Sequence, residues 1–148
     1  MVVRSYYSEG EFVPGSPAQV YYYAPDGLGS PRRIFSTSGA PTFDYDPYGV
    51  PLQATPPVAD VGFAGMFFDS ASELSLPQYR AYDFTSGRWL SRDPIGEASD
   101  SLGNLYTYAA ADPVSLIDPL GTTQFGVSGG CLRILIRSRR VLRHIGTA

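Results

Sequence analysis

Gln78-Tyr79-Arg80-Ala81-Tyr82-Asp83-Phe84-Thr85-Ser86-Gly87-Arg88-Trp89-Leu90-Ser91-Arg92-Asp93-Pro94-Ile95-Gly96 is the stretch whose reading decides the fold. Two strand-like runs, Tyr79 to Phe84 and Arg88 to Leu90, flank the turn-forming Thr85-Ser86-Gly87, so the segment reads as a hairpin. It closes on Asp93-Pro94-Ile95-Gly96, one of three copies of the same corner. The others are Asp46-Pro47-Tyr48-Gly49 and Asp118-Pro119-Leu120-Gly121. Each fits a type I turn: Asp first, Pro fixing φ second, Gly fourth. The Pro also holds the Asp before it in extended conformation, which places Asp46, Asp93 and Asp118 at strand ends.

The same alternation of short strand and turn extends outward. Val20 to Tyr23 is an aromatic strand; Pro25-Asp26-Gly27 turns the chain into Ser30 to Ser36, and Ser38-Gly39 turns it again. In Thr42-Phe43-Asp44-Tyr45-Asp46 the period of two sets Phe43 and Tyr45 on one face against Thr42 and Asp44 on the other. Residues 51–60, with Pro51, Pro56 and Pro57, read as loop, and Val61 to Asp69 resumes strand character. Residues 1–17, broken by Gly10, Pro14, Gly15 and Pro17, read as irregular or fragmentary strand. The internal helix expected is short: Asn104 caps 105–110 and Pro113 stops it. The fold class is therefore mainly β, short antiparallel strands and hairpins with that one short helix.

Composition agrees. Sixteen Gly and 13 Pro supply turns, 11 Tyr and 8 Phe supply flat faces for strands. Charge is segregated: six Arg against 14 acidic residues over 1–121, a balance of −8, then five Arg and no acid over 122–148, a balance of +5. There is no lysine. The lone Cys131 excludes an internal disulfide and the lone His144 a histidine metal cluster, so no metal or cofactor is expected. No apolar run approaches the ~18–20 residues that cross a bilayer, and the opening residues lack a charged-then-apolar export signal. From Leu132 to Ile145, Arg133, Arg137, Arg140 and His144 at helical spacing read as a basic amphipathic helix. Membrane or nucleic-acid contact is the functional reading of that tail, and a solvated remnant the plainer one. Glu9 and Glu11, near Arg4, read as ordinary surface charges, Trp89 as a core anchor, and Tyr21-Tyr22-Tyr23 as strand packing before sugar or base stacking.

Taken in order over residues 20–121, these motifs resemble the RHS or YD-repeat proteins. The resemblance rests on Gln78 to Asp83, Gly87 to Gly96, Asn104-Leu105-Tyr106-Thr107-Tyr108, Asp112-Pro113 and Asp118 to Gly121, with Asp26-Gly27-Leu28-Gly29-Ser30-Pro31 upstream. It implies an organisation of 1–19 as a partial repeat, 20–121 as YD-repeat and repeat-associated core, and 122–148 as a variable basic tail. In that family a β strip spirals into a hollow shell around a variable C-terminal domain, often a toxin. The implied partners are the rest of the shell or an adjacent RHS polypeptide, toxin cargo and a cognate immunity protein, in a secreted or cell-surface setting.

The resemblance also implies a self-cleavage dyad, which carries over to Asp93 and Asp118, with the cut near Gly121 and Thr122. Such chemistry needs two carboxylates close enough to share a proton and titrate as a unit. The plainer reading is that Asp46, Pro47, Gly49, Pro94, Gly96 and Pro119 simply turn the chain, because the Asp46 copy has no catalytic role in the family. Thr122 stands where many relatives have Leu, and Ala110-Ala111 where Gly-Asn is frequent. The expectation is a structural shell segment ending in a truncated tail, ahead of a self-cleaving aspartyl peptidase and of a carbohydrate or surface binder. A closed shell needs many repeats, so exposed aromatic faces and strand edges are expected of this piece.

Overall fold

The computed structural model describes residues 4–53, 59–96, 104–122, 124–128 and 131–134. Eleven short strands lie in three antiparallel sheets among these residues. The first is a meander of β1 (Ser5–Tyr7), β2 (Gly10–Val13), β3 (Gln19–Pro25) and β4 (Pro31–Phe35). The second joins β5 (Phe68–Asp69), β6 (Leu74–Ser75), β7 (Tyr82–Asp83) and β8 (Arg88–Trp89). The third has β10 (Phe125–Ser128) between β9 (Leu116–Ile117) and β11 (Cys131–Ile134). The mainly β class is what the turn spacing predicts.

The Asp corners form by a common device. The backbone N–H of Gly29, Gly49, Gly96 and Gly121 donates to the carbonyl of the Asp three residues before it. In each, the Asp Oδ1 also accepts backbone N–H groups of its own turn: Leu28 and Ser30 on Asp26, Tyr48 and Val50 on Asp46, Ile95 on Asp93, Gly121 and Thr122 on Asp118. This Asx-type bonding pins the corner through one carboxylate oxygen. The other oxygen is left for other work.

Several expectations need correction. Residues 1–17, read as irregular or fragmentary strand, contain two short strands, β1 and β2, which pair with each other and with β3. Gly10 permits this because a Cβ there would stand 1.9 Å from the Tyr21 carbonyl oxygen. Of Val61 to Asp69 only Phe68–Asp69 is strand; Phe63–Gly65 is a 3-10 turn with Ala64 at φ 54°.

The helix over 105–110 does not form. Asn104 makes an Asx turn to Tyr106, the Tyr106 carbonyl accepts from Trp89 N–H, and Thr107 bridges to Arg88. Bonding to β8 outcompetes the local helical preference. The turn falls instead at Ala109–Ala111, left-handed, with φ 47°, 51° and 61°. Of the basic helix expected from Leu132 to Ile145, the first residues are strand instead, within Cys131–Ile134, and 135–148 lie outside the described residues. β10 pairs with β9, so the ladder runs across position 121.

Left-handed backbone at an alanine costs about 1–2 kcal/mol, and glycine's entropy returns part of that. Ala110→Gly is therefore expected to stabilise the chain by about 0.5–1 kcal/mol, read as a higher urea midpoint.

The main core is aromatic. Tyr82, Trp89 and Tyr108 are fully buried with Phe63, Met66 and Ile117. Ring centroids lie 4.5 Å apart for Tyr82–Tyr108, 5.3 Å for Tyr82–Trp89 and 5.7 Å for Trp89–Tyr108. A smaller cluster, Ile34, Phe43 and Ala59, packs under the first sheet with Tyr45 beside it. Phe43 and Tyr45 thus face inward, as their alternation predicts.

Candidate functional site

Arg80 enters the core just before β7, two residues ahead of the buried Tyr82. Its guanidinium lies over the Trp89 ring, 4.3 Å from the centroid, in a cation–π contact on a desolvated floor. Every edge of the fork is used. Nη2 donates to Asp93 Oδ2 at 2.9 Å and to Asp118 Oδ2 at 3.0 Å. Nη1 donates to the Leu105 carbonyl at 3.1 Å, and Nε to the Gly121 carbonyl. The side chains of Arg80, Asp93 and Asp118 are 2%, 6% and 3% exposed, so this is a buried ion triad.

The structure thus brings Asp93 and Asp118 together around one nitrogen atom. What they share in this geometry is a guanidinium. Burial pushes the Arg80 guanidinium below its ordinary range, and the two carboxylates push it back. Arginine keeps its charge under such conditions, so one positive charge stands against two carboxylates.

Gly121 and Thr122 lie at the mouth of the triad. Gly121 has φ 79°, and a Cβ there would meet the Arg80 Cβ and backbone N at 3.2 Å. The Gly121 carbonyl accepts from Arg80, while Thr122 N–H donates to Asp118 Oδ1 at 2.9 Å. The peptide group joining these residues is therefore gripped at both ends, its carbonyl polarised by a cation and its N–H held on a carboxylate. The Asp46 turn instead supports Tyr48, whose carbonyl accepts from the Tyr82 hydroxyl at 2.7 Å. Pro47, Pro94 and Pro119 occupy the second positions of their turns, Gly49 and Gly96 the fourth.

In the Asp93 and Asp118 corners, Oδ1 makes the turn and Oδ2 meets Arg80. Turn-forming and site-forming roles coexist on one carboxylate. Arg80 is the residue that sequence reasoning missed. The available signal was its phase, since an arginine on the same strand face as an aromatic core residue needs a buried partner. The reading of Glu11 as a surface charge is also overturned, because its side chain is fully buried.

Among the described residues no group of three or more His, Cys, Asp or Glu is placed to hold a metal ion. No helix there is long and apolar enough to cross a membrane.

A model of the Teneurin YD-shell matches residues 7–114. Chicken Teneurin-1 is 38% identical over 121 residues, covering 75% of this chain and 4% of the relative. Double-stranded DNA deaminase toxin A of Burkholderia cenocepacia is 28% identical over 112 residues, covering 70% of this chain and 8% of the toxin. The crystal structure of TcdB2-TccC3 without its hypervariable C-terminal region superposes with a TM-score of 0.67 at 25% identity, over 81% of this chain and 6% of that one. The chain spans less than a tenth of the length of each of these relatives.

Proposed function

This chain belongs to the Teneurin YD-shell family, and from that membership we propose that it is the closing part of a shell wall, the repeat-associated core that leads into a variable tail. A shell segment of an RHS-type protein is its broad role. The observation that carries the finer reading is the convergence of Asp93, Leu105, Asp118 and Gly121 on the buried Arg80, which ties the last turns of the strip to the point where the acidic segment gives way to the basic one. Its partners in this reading are the preceding wall and whatever cargo the tail carries.

Such a wall leaves apolar surface for its neighbours. Tyr7, Tyr22, Leu52, Leu90 and Val114 are each more than half exposed, and patches of that kind seek cover. The isolated chain is expected to self-associate in sedimentation velocity and to become monodisperse within a longer repeat array. A monodisperse, cooperatively melting monomer would overturn the wall reading.

The grip on the Gly121–Thr122 peptide favours a second reading, self-cleavage close to Gly121. Expression in the longer repeat context followed by mass spectrometry tests it. A product ending near Gly121 that disappears with Asp118→Asn supports cleavage; an intact chain in both leaves the wall role alone.

A further inference from the structure

A second carboxylate–arginine–carboxylate group lies at the other end of the chain, in segments that the closing core does not use. Arg4 Nη1 stands 3.1 Å from Glu11 Oε1 and 2.9 Å from Asp60 Oδ1. Asp60 Oδ2 accepts from the Tyr6 hydroxyl at 2.7 Å, and Asp60 backbone N–H donates to Glu11 Oε2 at 3.4 Å. Tyr6 and Tyr21 lie opposite Glu11 in the ladder, and the Tyr21 hydroxyl donates to Gln19 Oε1. The Tyr23 hydroxyl sits beside Glu11. The cluster joins β1, β2 and β3 to a segment 49 residues beyond Glu11. Arg4 and Asp60 are about one-third exposed, whereas the Glu11 side chain is fully buried.

We propose that Arg4, Glu11 and Asp60 form a proton-operated clasp, in which protonation of Glu11 tightens the β1–β2 hairpin onto the Asp60 segment and loss of that proton loosens it. One cation faces two carboxylates, so with both ionised the group carries an excess negative charge, part of it in a desolvated place. A proton on Glu11 removes that excess and leaves the Arg4–Asp60 pair intact. β2 covers the edge of β3, so loosening the hairpin uncovers a strand edge able to pair with another chain.

The direction of the pH dependence follows from burial, which raises the Glu11 carboxyl above the ordinary glutamate range despite Arg4. The folded hairpin then binds the proton more tightly than the open one. The stability it confers is complete below the ordinary glutamate value and declines as pH rises through the folded value. Tyr6, pushed up to about 12 by burial and by its bond to Asp60, and Tyr23, raised by burial and by Glu11, keep their protons throughout. Arg4 stays charged.

Amide hydrogen exchange of the full chain, from about pH 4.5 to pH 8 and corrected for intrinsic rates, reads the clasp directly in peptides covering residues 4–13. Protection should fall as pH rises, by up to about tenfold per pH unit within the window, the limit for one linked proton. Glu11→Gln should flatten this profile, Asp60→Asn should move the fall to lower pH, and peptides around Arg80 should be unaffected by either. A flat wild-type profile, a rise with pH, or an unchanged slope in Glu11→Gln overturns the clasp. If Glu11→Gln prevents the hairpin from forming, the Glu11 carboxyl carbon titrated by NMR in the wild type decides. A midpoint above the ordinary glutamate range supports the clasp, and one within it refutes it.

Discussion

Replacing Arg80 by Met is expected to lower the stability of the chain by about 3–5 kcal/mol, the range for breaking a buried ion pair by removing one partner. Met fills much of the same volume, so the loss is mainly electrostatic. It strands two carboxylate oxygens that were 2.9 and 3.0 Å from one nitrogen. It also takes the donor from the Leu105 and Gly121 carbonyls. Arg80→Lys should fall between, because an ammonium keeps the charge but cannot reach four acceptors in the plane of a fork or lie flat on Trp89. Urea denaturation provides the measurement.

The decisive comparison is a triple variant, Arg80→Met with Asp93→Asn and Asp118→Asn. Once the carboxylates are neutral, no buried charge is left unpaired, and much of the loss should return. An Arg80→Met midpoint within about 1 kcal/mol of wild type would mean that the triad is solvated in solution and does not fasten the closing segments.

The parts of this design that are local were legible in the sequence. The Asp-Pro corners announce themselves because Asp, Pro and Gly each fix one feature of a four-residue turn, and the carbonyl-to-glycine bonds follow. The alternation of Phe43 and Tyr45 and the hairpin centred on 85–87 are equally short-range. Arg80 was not legible in the same way. Three of its four acceptors lie 25, 38 and 41 residues away, and no spacing rule reaches that far. Glu11 hid for the same reason, since the Asp60 segment that meets it lies 49 residues away. The helix at 105–110 failed because Trp89 N–H takes the Tyr106 carbonyl. There a tertiary bond outweighed a local preference, the usual fate of weak propensities.

The second large effect belongs to Trp89, whose replacement by Ala is expected to cost about 3–5 kcal/mol, as for other buried aromatic truncations. The ring is 1% exposed, sits opposite Tyr82 in the β7–β8 ladder and contacts Tyr108. Its removal opens a void beside the Tyr82 and Tyr108 rings and withdraws the floor beneath the Arg80 guanidinium at once. Trp89→Phe should lose less than half as much. Among the described residues the indole Nε1 has no hydrogen-bond partner, so a phenyl ring forfeits volume and no bond. Because the floor and the cation touch, Trp89→Ala and Arg80→Met should not add: a double-mutant cycle is expected to show about 0.5–3 kcal/mol of coupling. Additivity would separate the aromatic core from the triad. Coupling would mean that packing under Trp89 is what aims Arg80 at Asp93, Asp118 and the Gly121 carbonyl, so that the closing corner is held in place from beneath as well as by charge.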